Sequence, residues 1–244
     1  MKIRRYILPA FAFVLLTSGI AAAAIPGPQR AFAPTLYGLT EIAPNVFTDD
    51  LCEKAKWLEM REKANSRVTR FYGKLEASPR YILCSHMECE HIFGKNGAIA
   101  QSYGWSLVHV PPKALEGEDV GVALLAHERV HAELLYRWGA SALWDQRIPS
   151  WFNEGLATFV SQDPRMAKSY SAEERHWITG SKTFWDWNGF ANERGWRTAY
   201  GAAAENVKLM HEKIGKEGLL RLINEAIARG YFDKITQEIA PGVI

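Results

Sequence analysis

Residues 124–135 read Leu-Leu-Ala-His-Glu-Arg-Val-His-Ala-Glu-Leu-Leu, and they contain an HExxH sequence from His127 to His131. Side chains four residues apart lie on the same face of an α-helix, so the two imidazoles can converge on one metal ion. Glu128 lies three residues before His131 and leans toward the same face. Its carboxylate can take a proton from a water molecule there rather than bind the ion. The stretch therefore predicts a helix with two zinc ligands and a general base.

The flanking residues predict that this helix is buried and runs from residue 119 to residue 138. Asp119 is a candidate N-cap, and Gly139 follows the last apolar turn as a stop signal. Apolar residues lie on both sides of the HExxH sequence, where charged side chains are costly to bury without a purpose. The alternative is a half-exposed amphipathic helix in which the histidines are incidental.

A second helix is predicted at residues 148–159, which read Ile-Pro-Ser-Trp-Phe-Asn-Glu-Gly-Leu-Ala-Thr-Phe. Pro149 suits the entry to this helix, and Glu154 lies away from its apolar face. Gly155 and Ala157 are small enough to let another helix approach closely beside Glu154. This carboxylate can complete a His₂Glu zinc site that leaves the fourth position to water. Alternatively, Glu154 is an ordinary first-turn glutamate that the helix dipole favours.

The two motifs together resemble those of the gluzincin metallopeptidases, and especially of the small peptidase MA-like group. Proteins of that group similarly place an HExxH helix before a helix with the pattern Trp-x-x-Glu-Gly-Leu-Ala, here residues 151–157. The resemblance covers roughly residues 80–230. It implies an α+β fold of the thermolysin type, in which a small β-sheet lobe precedes a mostly helical lobe. It also implies that Glu128 is the base and that one Zn²⁺ ion is bound by His127, His131 and Glu154.

The same resemblance implies a catalytic role for Tyr200, which begins the stretch Tyr-Gly-Ala-Ala-Ala. In related aminopeptidase-like enzymes a tyrosine at this place donates a hydrogen bond to the tetrahedral intermediate. A phenol near zinc can stabilise the oxyanion that forms when water attacks a carbonyl. The alternative for Tyr200 is a packing role at the start of a helix, and Tyr170 and His176 compete for the catalytic one.

The sequence departs from the family pattern in two places. Thermolysin-like enzymes usually carry an acid four residues after the zinc-binding glutamate, where this chain has Thr158. The partner that orients a histidine must therefore come from elsewhere, and Asp145 and Asn153 are the candidates. The Gly-Ala-Met-Glu-Asn substrate clamp of the large aminopeptidases is absent from the sequence, which disfavours aminopeptidase activity.

Residues 1–24 are predicted to be a signal peptide, because three basic residues precede an apolar run that ends in four alanines. The alternative is an uncleaved membrane anchor through residues 6–24, since the run is near the length that spans a bilayer. The chain has 29 Lys and Arg against 27 Asp and Glu, and loss of the leader leaves 26 against 27, a net charge of −1. The basic excess belongs to the leader, so no nucleic-acid partner is expected.

The rest of the chain is predicted to be an N-terminal arm or linker followed by one metallopeptidase domain, residues 48–244. The expected parts are the arm at 25–47, a sheet lobe at about 78–118, the active-site helix at 119–138 and a helical lobe at 148–244.

Smaller signals place individual elements within these parts. A helix is expected from Thr48 to Leu75, with Thr48 or Asp49 as its cap. Strands are expected at residues 80–84 and 98–110. Farther on, Ser171 begins a capping box with Glu174, and glycine stops are expected at Gly215 and Gly230. Residues 184–188 read Phe-Trp-Asp-Trp-Asn and form a candidate lid or wall of the cleft.

Three cysteines leave several pairings open. In an exported chain a disulfide between Cys84 and Cys89 is favoured, because exported proteins meet oxidising conditions. With His86 and His91, the same residues read Cys-x-His-x₂-Cys-x-His, which is alternatively a second metal site. Cys52 is left over in either interpretation.

These patterns predict an exported zinc metallopeptidase, periplasmic or secreted, that acts as an endopeptidase on a peptide or protein substrate. The alternative is a non-catalytic zinc-binding or interaction module that retains the gluzincin fold. The presence of Glu128 argues against the module, because zinc binding alone needs only the three ligands. A membrane association is expected only if the leader stays uncleaved, and the sequence leaves the oligomeric state open.

Overall fold

Across the residues that the structure describes, five short strands form one mixed sheet. This computed structural model describes residues 27–94, 100–143 and 145–242. The strands are β1 Thr40–Ala43, β2 Val46–Thr48, β3 Arg80–Leu83, β4 Gln101–Tyr103 and β5 Leu107–Val110. Their order across the sheet is β1-β2-β3-β5-β4. The central strand β3 is parallel to β2 and β5, and the outer pairs β1–β2 and β4–β5 are antiparallel.

Helices form the larger part of the fold. The α-helices are α1 Gly27–Arg30, α2 Lys54–Tyr72, α3 Met87–Phe93, α4 Glu118–Trp138, α5 Ser150–Ser161, α6 Ala172–Ile178, α7 Phe184–Glu193, α8 Trp196–Arg229 and α9 Phe232–Ile239. Short 3-10 turns lie at Pro34–Tyr37, Pro112–Glu116, Ala140–Leu143 and Pro164–Met166. Helix α8 is broken at Gly215, whose φ of 70° is left-handed and costs a residue without Cβ little. The combination of a small sheet with many helices confirms the predicted α+β class.

The sheet has two apolar faces, because successive side chains of a strand point to opposite sides. Tyr81 and Val108 belong to the main core, which the sheet shares with α2, α4 and the later helices. Ile82 and Leu107 belong to a smaller core on the other face, which also contains residues of α3 and of the N-terminal turns. Helix α4 therefore packs on one face of the sheet, and α3 on the other.

Helix α5 is packed against both α4 and α8. Trp151, Phe152 and Leu156 are fully buried and form its apolar face. A Cβ atom at Gly155 would lie 2.5 Å from the carbonyl oxygen of Ala203 on α8, so only glycine permits this approach. The prediction that small residues beside Glu154 admit another helix is confirmed, and the close packing fixes the position of α5.

The sheet begins earlier in the chain than predicted. Residues 25–47 are expected to be an arm or linker, but they contribute β1 and most of β2. Strand β1 folds back on β2 through a turn in which Asn45 has a φ of 61°, and β2 pairs with β3. Strands of three or four residues carry too little alternation to be recognised by pattern.

The single strand predicted at residues 98–110 is wrong. Within its described part, residues 100–110, β4 and β5 form an antiparallel hairpin that turns at Gly104, with a φ of 61°. The apolar residues on both sides of the glycine hide this turn in the sequence. Residues 184–188, the candidate lid or wall of the cleft, are the first residues of α7.

The predicted start of the first long helix is also wrong. The N-cap residue of α2 is Glu53 rather than Thr48 or Asp49. Thr48 ends β2, and the Asp49 carboxylate accepts backbone N–H bonds from Ser85 and His86 at 2.6 and 3.0 Å. Asp49 therefore joins the end of β2 to the loop after β3. The Asp49 carboxylate accepts backbone N–H groups of a loop distant in sequence rather than those of the helix, and sequence periodicity does not reveal such a contact.

The other predicted helix ends are partly confirmed. The N-cap of α4 is Gly117, so Asp119 lies in the first turn, where the helix dipole favours an acidic side chain. Gly139 ends α4 with a φ of 80°, as predicted. The capping box of Ser171 and Glu174 at the start of α6 is confirmed as well.

The predicted leader, and with it the membrane-anchor alternative for residues 6–24, lies outside the described residues. Within the described part of the chain, no helix is both long and apolar enough to cross a membrane.

Candidate metal centre

Helix α4 brings His127 and His131 together on one face. Their Nε2 atoms are 3.0 Å apart, and the two rings meet edge to face with centroids 4.7 Å apart. Most of the helix from Gly121 to Leu134 is buried, so its orientation is fixed by packing on both sides. The four-residue spacing therefore presents two imidazole nitrogens to one point in space.

Glu154 on α5 completes a triangle with the two histidines. Its Oε2 atom lies 3.2 Å from Nε2 of His127 and 3.3 Å from Nε2 of His131. All three side chains are at most 14% exposed. We call these three residues the His₂Glu triangle.

The His₂Glu triangle fits a zinc ion. With bonds of about 2.0–2.1 Å, two N or O ligands of a tetrahedral zinc site are about 3.3 Å apart. The observed edges of 3.0, 3.2 and 3.3 Å agree with that separation. Two imidazoles and one carboxylate also form a donor set of catalytic zinc sites, which keep the fourth position open. The three residues can therefore hold a metal ion.

The charges of the triangle favour a cation. Burial lowers the pKa of His131, but the Glu154 and Glu128 carboxylates and the amide of Asn153 outweigh it and raise the pKa to about 9. Burial raises the pKa of Glu154, but the two histidines outweigh it and hold the pKa well below its ordinary value. The carboxylate thus stays charged in a mostly buried site. A metal ion would take the place of the proton on His131, because a ligating imidazole is neutral.

Asn153, the residue before Glu154, orients His131. Its Oδ1 atom lies 2.9 Å from Nδ1 of the histidine. When this oxygen accepts the Nδ1–H, the lone pair of Nε2 is left to face the metal position. Of the two candidates for this partner, Asp145 is wrong: it accepts a bond from the Trp138 indole and pairs with Arg147.

Glu128 follows His127 directly on α4. Its residue is only 6% exposed, and its charge contributes to raising the pKa of His131, Tyr200 and Tyr103. No ion pair among the described residues engages its carboxylate. The side chain is therefore available to accept a proton beside the metal position.

Tyr200 of α8 packs against the triangle. Its ring centroid lies 5.7 Å from that of His127 and 4.9 Å from that of Trp187, which meets it edge-on. Burial, together with the charges of Glu154 and Glu128, raises the pKa of Tyr200 well above its ordinary value. The phenol therefore keeps its proton and remains a hydrogen-bond donor. Trp187, which holds this ring, belongs to residues 184–188, the candidate lid or wall of the cleft.

The two competitors of Tyr200 are placed differently. The Tyr170 hydroxyl donates a hydrogen bond to the carbonyl of Arg197 at 3.1 Å, and the residue is buried. His176 is exposed on α6. Of the three candidates, Tyr200 is the one whose ring contacts a histidine of the triangle.

A second carboxylate of α4, Glu133, is fully buried and has a structural role. Its oxygens accept backbone N–H bonds from Glu76 and Ala77 at 2.8–3.1 Å. The guanidinium groups of Arg129 and Arg137 lie 3.2 and 3.1 Å from it. This arrangement, which we call the Glu133 anchor, ties α4 to the loop after α2. The cost of burying the charge is met by four donors.

The cysteine pattern is resolved in favour of a bond between Cys84 and Cys89, which confirms the prediction. Cys52 is free and exposed. The histidines of the alternative metal pattern lie elsewhere: His86 pairs with two aspartates after β2, and His91 is exposed.

No protein-family model, no curated protein and no solved structure matches this chain. The support for a function therefore comes from the chemistry of the site.

Proposed function

We propose that this chain is a zinc-dependent metallopeptidase of the gluzincin type that is exported to the periplasm or secreted and acts as an endopeptidase. The observation that carries the proposal is the His₂Glu triangle, whose edges match a zinc site, together with Glu128, whose charge acts on His131 and which makes no ion pair among the described residues. By itself, the triangle accounts only for metal binding and not for hydrolysis. The base next to it is what favours hydrolysis over a purely structural metal.

The chemistry divides between the metal and the side chains. Zinc, when bound, polarises the scissile carbonyl and lowers the pKa of the attacking water toward about 7. Glu128 takes the proton of that water and passes it to the leaving amine. Asn153 keeps His131 in the tautomer that presents Nε2.

Tyr200 is the proposed donor to the developing oxyanion. Its proton is retained because the pKa is raised, and its ring is held between His127 and Trp187. A donor positioned before the reaction stabilises charge without reorganisation. The same contacts with two aromatic neighbours also limit how far the phenol can move away from the site.

Strand β4 is the proposed docking edge for an extended substrate. It is the outer strand on its side of the described sheet, and helix α4 packs against it. An extended peptide can add to such an edge through main-chain hydrogen bonds. This placement would bring a peptide bond along β4 toward Glu128, whose charge influences Tyr103 at the end of the strand.

The test is the zinc content of the purified protein, measured by elemental analysis together with peptide hydrolysis. We expect about one zinc ion per chain in the natural protein and a sharp loss in Glu154→Ala. Glu116→Ala is the matched control, because Glu116 is exposed and lies outside the triangle. A folded protein that takes up no zinc when zinc is offered would contradict the proposal. Zinc without hydrolysis of any peptide would instead favour the non-catalytic module.

A further inference from the structure

A second buried cluster of metal-ligand types lies on the other face of the sheet. His109 of β5 is only 2% exposed, and its Nε2 atom lies 3.1 Å from Oε2 of Glu90 on α3. The same nitrogen lies 3.7 Å from Sγ of Cys84, which is bonded to Cys89. Three potential ligand atoms, from Cys84 after β3, Glu90 of α3 and His109 of β5, thus lie within 4.8 Å of one another, and Cys89 is bonded to Cys84.

Two polar atoms of this cluster lack a hydrogen-bond partner among the described residues. Oε2 of Glu90 and Nδ1 of His109 are both inaccessible to solvent, and neither makes a hydrogen bond of good geometry. Buried polar atoms are nearly always paired, and a carboxylate oxygen costs the most when it is not. The pair adjoins the Cys84–Cys89 disulfide, whose two cysteines belong to the smaller apolar core. Of these two atoms, Oε2 of Glu90 faces Nε2 of His109, and a metal ion bound between them would give this oxygen a partner.

We propose that Cys84, Cys89, Glu90 and His109 form a redox-switched metal site that binds zinc when the disulfide is reduced and releases it when the disulfide forms. The ligand set differs from the sequence pattern Cys-x-His-x₂-Cys-x-His. Both histidines of that pattern lie outside the cluster, and the carboxylate and the strand histidine take their places.

The distances fit zinc already in the disulfide form. In a tetrahedral site, sulfur and nitrogen ligands are separated by about 3.6 Å, and nitrogen and oxygen by about 3.3 Å. The corresponding distances here are 3.7 and 3.1 Å. Cys84 and Cys89 are separated by four residues, within the usual spacing of paired zinc cysteines. Reduction frees the Cys89 sulfur from its partner sulfur, so that it can serve as the fourth ligand.

Switching between the two forms is a two-electron, two-proton reaction of the Cys84–Cys89 bond. A dithiol reductant gives two electrons and two protons to the Cys84–Cys89 bond and is itself oxidised to a disulfide. The two thiols then lose their protons as they bind Zn²⁺, because thiolates are the ligands. In the other direction a disulfide oxidant takes two electrons from the thiolates, a bond forms between the two sulfurs, and the ion leaves with only Glu90 and His109 to hold it.

The test counts zinc in the purified protein in the Cys52→Ser background, which removes the exposed free thiol. Protein is prepared oxidised or reduced with a dithiol, dialysed against zinc and analysed by elemental analysis. We expect about one more zinc ion per chain in the reduced form than in the oxidised form. Cobalt added to the reduced form should give the intense near-ultraviolet absorption of thiolate-to-cobalt charge transfer. The difference between the two redox forms is the readout, so the result does not depend on whether the His₂Glu triangle binds zinc.

Matched histidine variants identify the ligands. His109→Gln should lose the additional zinc ion and weaken the cobalt absorption, whereas His91→Gln should keep both, because His91 is exposed. Glu90→Gln retains the shape of the side chain and should lower the affinity for cobalt by at least about tenfold. Equal zinc content in the two redox forms would overturn the proposal. So would an additional ion that survives in His109→Gln, or one that is lost in His91→Gln.

Discussion

Two glutamates are buried on neighbouring helices, and their surroundings are opposite in kind. Glu133 on α4 receives two backbone N–H groups and two guanidinium groups, all of which are permanent donors. Glu154 on α5 faces two imidazoles, which carry a proton only under some conditions. A carboxylate with permanent partners stabilises the fold. A carboxylate whose histidine partners can exchange a proton for a metal ion can serve as a metal ligand.

The comparison separates residues that hold α4 in place from residues that act at its surface. Glu133 lies on the same helix as His127 and His131. A variant of the Glu133 anchor therefore tests whether metal binding by the His₂Glu triangle is independent of fold stability.

Replacement of Glu128 by Gln should have the largest effect and should leave the anchor and the triangle intact. The amide is nearly the same size but cannot take a proton, so the rate of peptide hydrolysis should fall by about 10³–10⁴-fold. Zinc content should be unchanged, because Glu128 is not one of the three ligands. The measurement is kcat on a peptide substrate together with elemental analysis. Normal hydrolysis by this variant would remove Glu128 from the mechanism.

Replacement of Glu133 by Ala should destabilise the protein more than Glu154→Ala does. It leaves the buried guanidinium of Arg129 without a carboxylate to balance its charge, and a guanidinium cannot lose its proton. We expect a loss of about 3–5 kcal/mol in the free energy of unfolding. Glu154→Ala should cost clearly less in the metal-free protein, because His131 can become neutral.

Denaturant unfolding of metal-free protein at pH 9.5, where His131 is mostly neutral and its contribution is lost, checks this difference. Zinc binding provides the control: added zinc should stabilise the folded Glu133→Ala variant but not Glu154→Ala. Equal losses of stability in the two variants would mean that the distinction between anchor and triangle is wrong.

The stability of the metal-free protein should depend on pH through the interaction of Glu154 with His131. The pKa of His131 is raised from its ordinary value of 6.5 to about 9 in the folded chain, mainly by Glu154 against the effect of burial. Its contribution is therefore fully present below pH 6.5 and is lost as the pH rises through 9. The size is on the order of 3 kcal/mol. Glu154, whose pKa is lowered, contributes above its ordinary value of 4.5 and loses this contribution at lower pH.

The measurement is the free energy of unfolding between pH 6 and pH 9.5 with a chelator present. Glu154→Gln should remove most of this slope, because the amide has no charge to stabilise the protonated histidine. Zinc-saturated protein should also lack it, since the ion replaces the proton. If the free energy of unfolding of Glu154→Gln changed with pH as steeply as that of the natural protein, the His₂Glu triangle would not be the origin of the pH dependence.

The sequence identifies much of this site but little of what supports it. The HExxH spacing and the Glu154 helix indicate the triangle, because ligand convergence depends on helix geometry alone. The partners of Glu133 are backbone groups of a distant loop, which no side-chain pattern records. Strands β1 and β2 are too short for periodicity, and the turn at Gly104 is hidden between apolar residues. Contacts made by the backbone, or between residues far apart in the chain, are what the sequence leaves out.

Asn153 provides the smallest expected effect and the finest test of the comparison. The Glu133 anchor uses backbone donors that no side-chain substitution can remove, whereas the orientation of His131 depends on one amide oxygen, 2.9 Å from Nδ1. Asn153→Ala should therefore weaken zinc binding by about 10–100-fold, the usual cost of losing a partner behind a metal ligand. Competition with a chelator of known affinity measures this change.

Asn153→Asp is the matched variant, because a carboxylate can accept the same Nδ1–H and should restore zinc affinity. Thermal unfolding of both metal-free variants should remain close to that of the natural protein, since Asn153 is half-buried and belongs to neither apolar core. If Asn153→Ala bound zinc with unchanged affinity, the packing of α4 alone would orient His131. The triangle would then be as firmly preset as the Glu133 anchor, and the contrast between the two glutamates would rest on their charges and not on how they are held.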